Sequence, residues 1–152
     1  MGLLDDCLAD HGLKWGDLDA LGVGVGPGNF TGIRISISAA RGLGLGLGIP
    51  VVGVSLFETT RRLGQWAQTA VSAPRDQFYF LDPDKATTPV LIPSLKDTSV
   101  ALSSEHSTED HVRTIAVIAG ERAGANVPAP KPLYVKAPDA APARDAPPRL
   151  LS

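Results

Sequence analysis

The chain has 152 residues, 43% of them hydrophobic: enough for one domain with a core, and little room for two. Its 14 Lys and Arg against 16 Asp and Glu leave a net charge of -2, which gives no global field to hold a phosphate backbone. The single cysteine, Cys7, excludes an internal disulfide framework and a cysteine zinc site, and suits a reducing compartment.

The first residues, Met1-Gly2-Leu3-Leu4-Asp5-Asp6, are acidic where a secretory signal would be basic. The uncharged run between Arg41 and Glu58 is too short and too rich in glycine to span a bilayer, and Pro50 interrupts it. A cytoplasmic protein without a membrane is expected. Leu3 to His11 reads as a short amphipathic helix, with Leu3, Leu4, Cys7 and Leu8 on one face. Cys7 is expected there as a small buried hydrophobe, and His11 as a contact at the helix end.

Leu21 to Val25 reads as a strand that Gly26-Pro27-Gly28 breaks. A helix capped near Asn29 to Thr31 runs to about Gly48, where Pro50 prevents much continuation. Val51 to Val54 is a second apolar strand of the kind a parallel sheet buries on both faces. Ser55 caps a further helix that is expected to reach about Thr69. Strand, helix, strand, helix is the order of an α/β domain with a parallel crossover.

Beyond Thr69 the pattern weakens. Gln77 to Leu81 predicts a strand closed by an Asp82-Pro83-Asp84 turn, with another strand possible between Pro89 and Pro93. Asp97 to His111 is polar and reads as helix or loop. Thr114 to Gly120 predicts a buried strand. Residues 1–126 are read as the α/β domain and 127–152 as a proline-rich tail laid extended on its surface.

The glycine cluster Gly22 to Gly32 sits between strand and helix, where backbone amides could cradle phosphate. It fails the dinucleotide fingerprint, because counting from Gly24 and Gly26 puts Asn29 where the third glycine should be. It also fails the nucleotide P-loop, since no Gly-Lys-Ser/Thr follows. A tight turn set by Gly26, Pro27, Gly28 and Gly32 is the favoured reading. In the next helix the small residues form two smooth faces, Ser36-Ala40-Gly44 and Ala39-Gly42-Gly46. One must pack on the chain's own sheet; the other suits a close partner helix. His106 and His111 lie five residues apart, off a shared helix face, so a solvated loop is preferred to a metal site. Asp5-Asp6, Asp17 with Asp19, and Asp82 with Asp84 are read as solubility and capping groups. No Ser/His/Asp triad, catalytic residue or metal site is identified.

The run Gly26-Pro27-Gly28-Asn29-Phe30-Thr31-Gly32-Ile33-Arg34, followed by Arg41-Gly42-Leu43 and by Leu47 to Ser55, resembles the TsaB (YeaZ) family of bacterial tRNA threonylcarbamoyladenosine biosynthesis proteins. Leu13 to Leu21, Pro74 to Tyr79 and Pro132 to Ala140 are similar too. The resemblance implies an actin-like ATPase (ribonuclease-H-like) α/β fold. It implies a non-catalytic partner of a TsaD-like enzyme, docking through the helix after the glycine turn and the helix before it. Asn29, Phe30, Thr31, Arg34, Ser36, Ala40 and Gly44 are the partner-binding residues expected on that basis. No cofactor is expected, ATP belonging to the partner enzyme. A TsaE-like ATPase and tRNA would be reached only through the complex, and a homodimer is possible. A small ATP-hydrolysing or glycoprotease-like enzyme and a purely structural homodimer are the alternatives. The resemblance also implies strands ahead of Leu3, the first bearing an Asp-Thr-Ser turn. Without them the fold would lack the first strands of its usual sheet, and Leu21–Val25 would present an open edge prone to aggregation.

Overall fold

The structure is a computed structural model that describes residues 2–95, 99–124 and 126–135. In chain order the elements are α1 (Gly2–Asp10), a 3-10 turn (Trp15–Asp17), β1 (Leu21–Gly24), α2 (Phe30–Leu47), β2 (Val51–Val54), α3 (Leu56–Gly64), β3 (Thr69–Ala73), β4 (Gln77–Leu81), β5 (Val90–Ile92), β6 (Ala101–Leu102), a second 3-10 turn (Ser103–Glu105) and α4 (Thr108–Arg122). This is the mixed α/β fold expected.

β1 and β2 pair in parallel, from Leu21 opposite Val51 to Gly24 opposite Val54. Both faces of this small sheet are covered, which is why its residues are apolar without alternation. On one face Val23, Val25 and Ile37 form a core with Ile33, Ala40 and Val51 of α2 and β2. On the other, Val52 and Val54 meet Ile118 and Ala119 of α4. Among the described residues β1 has no second strand neighbour, so its outer edge is open.

The remaining strands form a second sheet in the order β5-β4-β3-β6, antiparallel except for β3 with β6. The strand expected at Gln77 to Leu81 is β4, and the one between Pro89 and Pro93 is β5. The turn after β4 is built on Asp82, whose carboxylate accepts from Gln68 Nε2 at 2.9 Å and the Asp84 amide at 3.2 Å. Lys85 pairs with it at 3.0 Å. α3 joins the two sheets by packing on α4 and β3.

Four expectations are corrected. The helix that Ser55 caps ends at Gly64, not near Thr69: Gln65 is left-handed at φ 59°, and Thr69 already belongs to β3. Thr114 to Gly120 is the middle of α4, not a strand. Its apolar run is β-branched, but Ser107 and Asp110 form a capping box ahead of it. The buried positions His111, Thr114, Ile118 and Ala119 have helical spacing, while Val112 and Val117 face outward. Cys7 is exposed, because α1 buries none of its residues. α1 is tied to the following turn through Trp15 Nε1, which donates to Asp5 at 2.7 Å. His11 meets the Cys7 carbonyl at the helix end, at 2.9 Å.

His106 and His111 are not in a solvated loop either. His111 is buried, its Nδ1 2.8 Å from Thr59 Oγ1 and its Nε2 3.0 Å from the Ser103 carbonyl. His106 stands edge-on to it at 6.0 Å between ring centroids. Thr59 comes from α3, His111 from α4, and His106 from the end of the second 3-10 turn.

Residues 126–135 carry no helix or strand. Val127 packs on the α4 side of the first sheet, Pro130 is buried against Gly53, and Leu133 enters the core on the α2 side. The segment thus passes from one face of the sheet to the other. The expected tail beyond position 135 lies outside the described residues.

Candidate functional site

The site begins at the break after β1. Gly26 has φ +100°, open to glycine and strained for other residues, and its carbonyl accepts from the Leu56 amide at 2.8 Å. A side chain on Gly26 would stand 2.8 Å from Ile33 Cδ1 and 3.4 Å from the Leu133 carbonyl oxygen. Gly26 therefore admits the chain's own α2 and C-terminal segment. An acceptor oxygen lies beside the turn, which disfavours a phosphate there. Pro27 is buried beneath it.

Asn29 caps α2, its side chain accepting from the Gly32 amide at 3.0 Å. Gly48 at φ +70° closes the helix. At the first turn, the Arg34 guanidinium lies over the Phe30 ring, 3.8 Å from its centroid. Its Nε donates to the Tyr134 hydroxyl at 2.8 Å. The Phe30 and Tyr134 rings lie 4.8 Å apart between centroids. Asn29, Phe30, Thr31 and Arg34 are all exposed, so the helix start presents the first four expected docking residues outward.

The other three divide. Ser36 is exposed and donates to the Ile33 carbonyl. Ala40 packs on the Val23, Val25 and Ile37 core. Gly44 is buried, and a Cβ there would lie within 2.3 Å of Val51 Cγ2 and 3.0 Å of the Ile49 carbonyl oxygen. Ala40 and Gly44 thus face the chain's own sheet and offer no docking surface. The expected smooth face on that side is accounted for by sheet packing.

The opposite face is open. Ile35, Ser38, Ala39, Gly42, Leu45 and Gly46 are exposed, Ile35 at 65% and Leu45 at 86%. Among the described residues, no atom outside the adjoining backbone of α2 comes within 4 Å of where a Cβ on Gly42 or Gly46 would lie. Sequence reasoning had this stripe as one of two and placed the candidate residues on the other. Tyr134 was the larger omission: it lies 100 residues from Arg34 in sequence, and only its place in the Pro132-Leu133-Tyr134 motif marks it.

Behind the site, Glu58 closes the capping box with Ser55 and takes an ion pair from Arg122. Burial raises the pKa of this carboxyl, but the bonds from Ser55 and Arg122 outweigh burial and hold it below the ordinary carboxylate range. A cleft of about 580 Å³ lies on the second sheet, lined by Phe80, Val90 and Ile92 with Asp82 at its edge. Among the described residues no group of three or more His, Cys, Asp or Glu could hold a metal ion. None of their helices is long and apolar enough to cross a membrane.

A family model described as TsaD: tRNA N6-adenosine threonylcarbamoyltransferase matches residues 1–89. No curated protein matches. Among solved structures, YeaZ from Pseudomonas aeruginosa is 21% identical, with a TM-score of 0.58 over 86% of this chain and 80% of that one. An uncharacterized protein with similarity to peptidase YEAZ, also from Pseudomonas aeruginosa, is 22% identical, with a TM-score of 0.60 over 88% of this chain and 81% of that one. With more than half of its residues matched and the YeaZ fold around them, the chain belongs to the TsaD family of tRNA N6-adenosine threonylcarbamoyltransferase proteins, in keeping with the TsaB (YeaZ) resemblance of its glycine motif.

Proposed function

We propose that this chain is a non-catalytic scaffold that binds and activates a TsaD-like enzyme for threonylcarbamoylation of adenosine in tRNA. The observation that carries the reading is the outward stripe of α2. Gly42 and Gly46 each cost a helix about 1 kcal/mol relative to alanine. Among the described residues nothing approaches where their side chains would be, so the packing described gives no reason for them. Gly44 between them is different, because Val51 occupies the space of its side chain. A helix of a second protein laid against Ala39, Gly42 and Gly46 could approach to backbone contact, with Ile35 and Leu45 gripping its flanks. α1 also exposes two apolar side chains, Leu3 and Leu4. On this reading tRNA and a TsaE-like ATPase are reached only through the complex, and nucleotide chemistry belongs to the partner enzyme.

Gly42→Leu tests the proposal. The change fills the stripe without touching the chain's own core, so the melting temperature should hold or rise. Association with a TsaD-like protein should fall, and less threonylcarbamoyladenosine should form in a reconstituted reaction. Undiminished association would refute the docking face. A homodimer that Gly42→Leu splits, with no binding to the TsaD-like protein, would replace the proposal with a structural dimer.

A further inference from the structure

We infer that Arg34 is the group on this face that recognises a carboxylate of the partner protein, and that Tyr134 is its positioning residue. The inference rests on the docking reading above. An exposed arginine ordinarily samples many rotamers, and ordering it on binding has an entropic cost. Arg34 is already ordered from two sides. Phe30 lies under the guanidinium plane at 3.8 Å, and Tyr134 takes the Nε hydrogen at 2.8 Å. Neither contact uses the two terminal amino groups, which have no hydrogen-bond or ion-pair partner among the described residues. What remains is a planar, fixed fork of donors facing solvent at one end of the small-residue stripe. Such a fork matches a carboxylate in bidentate geometry.

A phosphate would fit the fork equally well, so the surroundings decide. Tracking a nucleic-acid backbone takes a row of cations. α2 carries only one other cation, Arg41, two turns further along. The exposed neighbours of Arg34 three and four residues away on the helix are Phe30, Thr31 and Ser38, none of them charged, and the exposed Ile35 begins the stripe beside it. One arginine stacked on an aromatic ring among uncharged side chains is the composition of a protein interface anchor. Tyr134 comes from the C-terminal segment that Leu133 and Pro130 fix to the domain, so the fork is aimed by two separate parts of the fold.

The test measures association of the full chain with a TsaD-like protein at several salt concentrations. Arg34→Gln removes the charge and should weaken binding roughly 10- to 100-fold, with a shallower salt dependence. Arg34→Lys keeps the charge but loses the fork, and should recover only part of that loss. Tyr134→Phe keeps the ring and removes the acceptor. It should weaken binding severalfold at an unchanged melting temperature and unchanged salt dependence. If Arg34→Gln binds as the parent does while Gly42→Leu does not bind, the carboxylate contact is wrong and the docking face stands. If the parent itself does not associate, both fall. Binding of a transfer-RNA-sized RNA by the chain alone, lost in Arg34→Gln, would overturn the inference in favour of a phosphate. Equal losses in all three variants with a lowered melting temperature would reduce Arg34 to a latch for the C-terminal segment and overturn it too.

Discussion

Arg34 and Tyr134, 100 residues apart in sequence, are joined by a 2.8 Å hydrogen bond at the start of α2. The bond is the outer end of a longer attachment. One residue earlier, the Leu133 amide donates to the Val25 carbonyl at 2.8 Å, continuing the line of β1 past its last paired residue. Its side chain fills the core between Val25 and Ile33. The glycine turn, α2 and the C-terminal segment therefore form one unit. Leu133→Ala should destabilise the fold by about 1–3 kcal/mol, less than a fully buried leucine because the residue is only part-buried. The loss should appear in chemical denaturation, and amide exchange at position 133 and at Val25 should rise with it. Unchanged stability would mean the segment is not part of the folded unit.

The glycines of α2 should respond in opposite directions. Gly44→Ala places a methyl 2.3 Å from Val51 Cγ2 and beside the Ile49 carbonyl, so either β2 or the helix must shift. Overpacking of this kind costs roughly 1–3 kcal/mol, more than the helix propensity regained. Gly42→Ala and Gly46→Ala meet no described residue and should each stabilise by about 0.5–1 kcal/mol. Thermal melts of the three variants check this, and a stabilised Gly44→Ala would show that the Val51 contact yields freely.

These glycines also mark how far the sequence could be read. β1, α2 and β2 were legible because cap, helical spacing and the Gly48 stop agree with one another. Which smooth face of α2 turns inward was not, since both faces offer small residues at helical spacing. The choice is made by Val51 of β2, which occupies the space beside Gly44 and is placed there by the docking of α2 on the sheet. α4 was misread because Thr114 to Ala119 is rich in β-branched and apolar residues, and a short run of that kind does not distinguish strand from buried helix. The Ser107 and Asp110 capping box was the signal available. β3 was missed because the helix was read through Gly64 to about Thr69; the stop is Gly64 followed by Gln65 in the left-handed region, a conformation the sequence does not announce at glutamine. The pairing of Arg34 with Tyr134 is purely tertiary, and no local pattern carries it.

The two histidines should differ in weight. His111 is buried and bonded through both ring nitrogens, so His111→Ala removes a packed ring and leaves Thr59 and the Ser103 carbonyl with a lost partner. A loss of about 2–4 kcal/mol is expected. His106 Nε2 is buried without a hydrogen-bond partner, so His106→Ala surrenders no bond at that atom. Its cost should stay below about 1.5 kcal/mol. Denaturant titrations of both variants decide the matter. A larger loss for His106→Ala would mean that its edge contact with His111 organises the cluster.

Acid should expose the role of Glu58. Burial alone would raise its pKa, but Ser55 and Arg122 bond the charged form and leave it below the unfolded value. The native state therefore takes up this proton at lower pH than the unfolded chain does. The stability it contributes is complete above the unfolded carboxyl pKa, near 4, and drains away as pH falls through the lower native value. Asp82, Asp110 and Glu121 are also held low, first by hydrogen bonds from Lys85, Ser107 and Arg62 respectively, and act in the same direction. Comparison with Glu58→Gln separates the one group from the rest. That variant loses the Arg122 ion pair and weakens the cap, and should be about 1–2 kcal/mol less stable than the parent at neutral pH. The gap should persist down to about pH 4.5 and narrow below it, as the parent's carboxylate also becomes neutral. Melting curves of the two proteins between pH 7 and pH 3 measure that gap directly. A gap that stays constant to pH 3 would assign the loss to packing and remove the charge from the account.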